Sequence, residues 1–179
     1  MKKHYGREAL LVALLVALDQ ITKMLAVRYL KGQSGVDIIK GVFRLQFLEG
    51  GNSGAAFGIL QGQFWFFFVT TLVILAAFLW VLIRMPAEKR YQPVRIVVLV
   101  LSAGAVGNFI DRCYTYMTEG YNYVIDFLYF ELIDFPIFNV ADCYVTVSSV
   151  LLLILFMFYY KEEDMDRILG MKSKQETEG

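Results

Sequence analysis

FWFFFVTTLVILAAFLWVLI, residues 64–83, contains no charged residue along its whole length. A hydrocarbon core of about 30 Å needs about 20 mostly apolar residues in a helix, so this stretch reads as a transmembrane helix. Three further stretches meet the same requirement, each with polar interruptions. Residues 9–30 carry Asp19, Gln20, Lys23 and Arg28. Residues 93–110 contain Gly104 and Gly107, small residues suited to close helix contact. Residues 138–160 carry Asp142 near their start. The expected fold is a membrane all-α core of four transmembrane helices. It forms a single membrane domain over residues 1–160, followed by a polar tail over 161–179.

The composition agrees with that reading. Hydrophobic residues make up 58% of the 179, and the mean hydropathy is +0.53. A net charge of zero gives no basis for a nucleic-acid partner. The first apolar run continues through Lys23 towards Tyr29 without a small-residue cleavage site, so it reads as a span and not as a cleavable leader. No internal repeat is visible. Two cysteines, Cys113 and Cys143, are too few for a disulfide scaffold and read as small apolar fillers at two span ends.

Lys and Arg collect on the cytoplasmic side of membrane proteins. Here they crowd the N-terminus (Lys2, Lys3, Arg7), the loop after residue 83 (Arg84, Lys89, Arg90, Arg95) and the tail (Lys161, Arg167, Lys172, Lys174). Both termini and the middle loop are therefore expected in the cytoplasm, and the loops 31–63 and 111–137 outside. Those two loops show two-residue alternation. Phe43, Leu45 and Phe47 alternate with Arg44 and Gln46, and Tyr121, Tyr123, Ile125, Phe127 and Tyr129 alternate with Asn122, Val124, Asp126 and Leu128. The pattern predicts a small amphipathic β-rich outer region resting on the bilayer.

With this topology the polar residues of the spans gather towards one level. Asp19 lies roughly 15 Å into the bilayer and Lys23 one turn further out on the same face. Asn108, Asp111 and Arg112 end the third span, Asn139 and Asp142 begin the fourth, and Asn52 and Asp126 lie in the outer loops. Ionisable groups at such depth mark function by default. Several also have structural readings. Asp19 and Lys23 suit an i,i+4 ion pair that anchors the first span. Asp111 with Arg112 suits an interfacial pair or a helix terminus, Asn139 suits an N-cap, and Arg28 with Tyr29 suits interfacial anchoring. Asp126 and Asp142 have no basic partner within a turn.

Mechanisms narrow by elimination. No HExxH, GxSxG or Walker motif is present, and the single histidine, His4, lies on the wrong side for a Ser–His or Cys–His pair. Carboxylates remain. Two carboxylates a few Å apart do not both ionise readily, so one keeps a proton while the other acts as base towards water. A proton- or cation-coupled transporter, or a non-enzymatic assembly factor, is the alternative; four spans without an inverted repeat disfavour the transporter.

Five segments, in order, resemble the lipoprotein signal peptidases (signal peptidase II). Asp19-Gln20-Ile21-Thr22-Lys23 is similar to that family's DQxTK, and Asn52-Ser53-Gly54-Ala55-Ala56-Phe57-Gly58 to its NxGAAFG loop. Gly107-Asn108-Phe109-Ile110-Asp111-Arg112 resembles GNxxDR, Val124-Ile125-Asp126-Phe127 resembles VxDF, and Phe138-Asn139-Val140-Ala141-Asp142 resembles FNxAD. The resemblance implies an aspartic endopeptidase of the bacterial cytoplasmic (inner) membrane. It would remove the signal peptide from diacylglyceryl-modified prolipoproteins just before the lipidated cysteine. By the motif match Asp126 and Asp142 form the catalytic pair. Asp19, Lys23, Asn52, Gly54, Ala55, Ala56, Phe57, Asn108, Asp111, Arg112 and Asn139 are binding or supporting residues. The implied partners are the lipid-modified prolipoprotein, membrane lipids and globomycin-type inhibitors, with no metal and no cofactor. Gly50-Gly51 before Asn52, where a bulkier residue is common, and Cys143 after Asp142 are local departures.

Overall fold

The computed structural model describes residues 5–54 and 63–170. Its helices are α1 (Tyr5–Leu30), α2 (Phe64–Arg84), α3 (Gln92–Glu119), α4 (Val140–Ile154) and the short α5 (Glu162–Leu169). The strands are β1 (Val36–Ile39), β2 (Phe43–Leu45) and β3 (Leu128–Tyr129). Among the described residues four helices are long and apolar enough to cross a membrane: α1, α2, α3 with its preceding turn, and α4 continued by a π-helical turn to Tyr159. Their surfaces are inverted relative to a water-soluble bundle. Met24, Trp65, Val73 and Leu153 are each more than 60% exposed, whereas Asp19 is 0% and Lys23 1% exposed. Lipid contact rewards the apolar exterior, and the polar groups turn inward to satisfy one another.

α3 is the hub, and α1, α2 and α4 all pack on it. Its glycines set the spacing. A Cβ on Gly104 would stand 2.7 Å from the Ala141 carbonyl oxygen, and one on Gly107 would stand 2.5 Å from Asp19 Oδ2. The bare Cα at these positions lets α4 and α1 approach closely. α3 starts with Pro93 in its first turn and stops at Gly120, whose left-handed φ of 73° lets its N–H bond to the Tyr116 carbonyl.

The three strands form an antiparallel sheet in the order β1-β2-β3, with Val36 opposite Leu45 and Arg44 opposite Tyr129. Separate bridges join Asn52 to Val124 and Leu128 to Phe138. Phe47 and Phe127 pack with Ala26 and Leu30 of α1, which seats the sheet against one end of the bundle.

Several boundaries differ from the sequence reading. α1 is already helical at Tyr5, the first described residue, and α3 runs on to Glu119, past the expected end at residue 110. Asp111 does not end α3, because its charge is met by Lys23 inside the bundle. The alternation over residues 121–129 becomes only the two-residue β3 and one bridge, while β1 was not expected. The tail is not simply polar. α5 folds back and buries Ile168 with Leu82, Met85 and Tyr91. Residues 171–179, including Lys172 and Lys174, lie outside the described residues, as do Lys2, Lys3 and His4.

Candidate active site

Where α1, α3 and α4 meet the sheet, buried polar side chains form one connected network. Lys23 is its base. The ammonium group stands 2.9 Å from Asp19 Oδ2 and 2.8 Å from Asp111 Oδ2, and it donates to Asn108 Oδ1 at 2.9 Å. An ammonium has three donors and no acceptor, so all three are used. Asp19 also accepts the Ala141 backbone N–H at 2.9 Å, which ties α1 to the first turn of α4. Asp111 accepts from Gln20 Nε2 at 2.9 Å and from the Ile125 backbone N–H at 3.1 Å, which ties α3 to the segment carrying Asp126.

Above this base lie Asp126 and Asp142, linked by asparagines whose orientations are forced. Lys23 can only donate, so Asn108 turns its oxygen to Lys23 and its amide N–H to Asp142 Oδ1 at 2.8 Å. The Asp142 backbone N–H can only donate, so Asn139 gives it Oδ1 at 3.0 Å. Asn139 Nδ2 is then left to donate to Asp126 Oδ1 at 2.6 Å and to Asn108 Oδ1 at 3.1 Å. Asn52 accepts the Gly54 N–H at 2.9 Å and donates to Asp126 Oδ2 at 2.8 Å. Asp142 Oδ2 completes a capping box by accepting the Asn139 backbone N–H at 3.1 Å. Asn139 is thus the expected N-cap of α4 and also the bridge between the two carboxylates.

The two aspartates have different surroundings. Asp126 is 0% exposed, in a loop. Burial pushes its carboxyl up to about 6; the Asp142 charge adds to that, and the Asn52 and Asn139 amides pull against it. Asp142 sits in the first turn of α4 and lines an open cavity of about 520 Å³ with Asn52, Pro136, Phe138, Cys143 and Thr146.

The remaining expected residues fall as follows. Asp19, Lys23 and Asp111 support the site from below and contact neither Asp126 nor Asp142 through a hydrogen bond. Asp111 is not paired with Arg112: successive helix residues point about 100° apart, and Asp111 turns to Lys23. Arg112 instead lies over the Phe67 ring of α2, 4.2 Å from its centroid. Gly54 has a φ of 76° and closes on Arg112 and Phe67. Ala55, Ala56 and Phe57 lie outside the described residues. Gln20 and Thr115 were not expected here. Thr115 holds the site's far wall by accepting the Tyr123 backbone N–H at 3.0 Å. Gln20 had a signal, being an amide beside Asp19 in an apolar span; Thr115 and Phe67 had none.

Four membrane-length helices enclosing a polar site with two bridged carboxylates beside an open cavity define a multi-pass membrane enzyme. Two solved structures share this architecture. Both are described as a bacterial membrane enzyme structure by the in meso method. The one at 1.9 Å resolution matches with a TM-score of 0.73 and 32% identity, over 89% of this chain and 97% of that one. The one at 2.3 Å gives 0.70 and 31%, over 90% and 95%. Among relatives in sequence, the lipoprotein signal peptidase of Brevibacillus brevis is 42% identical over 149 residues, covering 83% of this chain and 93% of its own length. That of Streptococcus pyogenes serotype M1 is 40% identical over 151 residues, covering 84% and 91%. The family described as signal peptidase (SPase) II matches residues 11–158. The chain belongs to the signal peptidase II family, and the transporter and assembly-factor readings are not favoured.

Proposed function

We propose that this chain is an aspartic endopeptidase that removes the signal peptide from diacylglyceryl-modified prolipoproteins just before the lipidated cysteine, with Asp126 and Asp142 as the catalytic pair. The observation that carries the proposal is the bridging of these two carboxylates by Asn139, with two N–H donors directed at each. In this reading Asp126 holds the shared proton and Asp142 faces the cavity from which water arrives. Asp142 takes a proton from water as the water oxygen bonds to the scissile carbonyl carbon, and the Asp126 proton passes to the carbonyl oxygen. The tetrahedral adduct collapses with cleavage of the C–N bond. One proton goes to the departing amine and one returns to the pair, leaving a carboxylic acid and an amine. Asn52, Asn108 and Asn139 hold the two carboxyl groups in register throughout.

The site is assigned to the outer face of the bacterial cytoplasmic membrane, with both termini cytoplasmic. The support is the concentration of Lys and Arg in the sequence at the N-terminus, between α2 and α3 and in the tail, with the described ones, Arg7, Arg84, Lys89, Arg90, Lys161 and Arg167, at the opposite end from the site. There the substrate's acyl chains stay in the outer leaflet while its peptide enters the polar notch. Each buried CH₂ contributes about 0.8 kcal/mol, so the lipid supplies much of the affinity and sequence is read loosely. Globomycin-type inhibitors are expected to compete for this notch.

The test is cleavage of a lipidated precursor presented to the outer side of spheroplasts. Wild type cleaves it, whereas Asp126→Asn and Asp142→Asn, which keep shape but remove one half of the acid/base pair, accumulate as folded, inserted, inactive protein. Turnover by either variant, or by wild type only when the precursor is given to the cytoplasmic side, contradicts the assignment.

A further inference from the structure

Arg112 stands apart from the other charged groups of the site. The Lys23 charge is met by Asp19 and Asp111, and each carboxylate of the pair is met by two N–H donors. Arg112 makes no ion pair among the described residues, although its charge interacts with Asp126, Asp111 and Asp142. Its Nη1 is buried and has no hydrogen-bond partner among the described residues. A buried N–H donor without an acceptor costs free energy, so something else must hold the guanidinium there.

Two features do so. The guanidinium carbon lies 4.2 Å from the centroid of the Phe67 ring, within the range of a cation–π contact. The backbone of Gly54 lies against both partners, at the edge where the guanidinium meets the ring. A Cβ there would come 2.8 Å from Arg112 Nη2 and 2.6 Å from Phe67 Cζ, so only glycine leaves the slot open. Gly54 is fixed in turn by the bond from its N–H to Asn52 Oδ1, and Asn52 holds Asp126. The slot is therefore tied to the carboxylate pair.

We propose that Phe67 is a positioning residue for the reaction: its ring face and the bare backbone of Gly54 hold the Arg112 guanidinium with Nη1 free to donate to the scissile carbonyl oxygen. This rests on the peptidase reading above. Partial negative charge grows on that oxygen as water adds to the carbonyl carbon. A fixed cationic donor aimed at it stabilises the transition state more than the bound substrate. Phe67 touches neither substrate nor carboxylate and acts only through Arg112. Its loss therefore lowers kcat with little change in KM.

The experiment uses the full chain in detergent–lipid micelles and a lipidated precursor peptide, with single-turnover rates to keep weak variants measurable. Phe67→Leu keeps an apolar side chain but removes the ring face, and 3,5-difluorophenylalanine at position 67 keeps the ring but weakens its negative face. The expected results are a fall in kcat of about tenfold for Phe67→Leu, a smaller fall for the fluorinated ring, and KM within about twofold for both. In an Arg112→Gln background Phe67→Leu brings no further loss. The proposal is overturned if the fluorinated chain matches wild type while Phe67→Leu is impaired, since Phe67 then only packs. It is also overturned if Phe67→Leu matches wild type, or if its effect is undiminished in the Arg112→Gln background. Failure of wild type itself to cleave the lipidated peptide would instead remove the peptidase reading, which separates the two ideas.

Discussion

The two ends of the bundle solve opposite problems with similar residue types. At the site end, charges lie inside and are met by other buried groups: Lys23 with Asp19 and Asp111, each side chain no more than 2% exposed. At the other end, apart from Arg95, buried against Glu8 and the Leu82 carbonyl, apolar residues form the core, with Leu82, Met85, Tyr91, Val94 and Ile168 packed together. An ion pair between Arg90 and Asp164 fastens α5 at the rim of that core, and the Tyr91 hydroxyl donates to the same carboxylate at 3.0 Å. A pair near solvent stabilises little, because water competes for both partners. A buried set is different: its net contribution over an apolar core is modest, but loss of one member strands the rest.

Lys23→Met gives the largest expected effect. It leaves Asp19 and Asp111 buried without their cation, and a loss of about 3–5 kcal/mol in stability is expected, with loss of cleavage. Thermal unfolding and cleavage assays in detergent check it. Adding Asp111→Asn, which removes one stranded charge, is expected to recover part of the stability. A Lys23→Met chain that melts with wild type would erase the contrast between the ends.

The pH dependence sharpens the contrast further. Burial raises the Asp126 carboxyl to about 6, above its ordinary range. The stability from its protonated form is full below that ordinary range and is lost as pH rises through about 6. With protonated Asp126 as the acid, kcat/KM falls across the same window as pH rises. A rate profile flat from about pH 5 to pH 8 would contradict that role. At the other end the sign reverses. Hydrogen bonds from Arg90 hold the Asp164 carboxyl well below the usual carboxylate range. Its contribution is present above that range and disappears on acidification. Asp164→Asn is expected to be the mildest change, with cleavage within about twofold of wild type and a small drop in melting temperature at neutral pH. Side-by-side melting curves at neutral and acid pH read the difference, which should vanish at acid pH.

The sequence reached unevenly into this structure. The spans were legible because apolarity over a fixed length is a local property, and residues 64–83 carry it without interruption. The end of α3 was not legible. Asp111 and Arg112 look like a stop until Lys23 and Phe67, distant in sequence, are placed beside them. β1 escaped because Val36–Ile39 is short and includes Asp37, whose charge is met by Arg44 on the next strand. α5 has few apolar residues and relies on Arg90, 74 positions away. At the site, Asp126 and Asp142 were named from resemblance to a family and not from spacing. The asparagine relay that orients them depends on which partner can only donate, and that becomes visible only in three dimensions. Phe67 is one aromatic among several in an apolar run, and nothing in the run distinguishes it.

The cap of α4 carries a consequence for biogenesis. Asn139 starts that helix and also joins the two carboxylates, so the carboxylate pair proposed as catalytic is complete only when the final span is seated. A chain caught midway through insertion, with α4 not yet seated on α3, has two separate acids and no assembled machinery. If the proposed pair does the chemistry, such a chain is inactive until its last segment arrives.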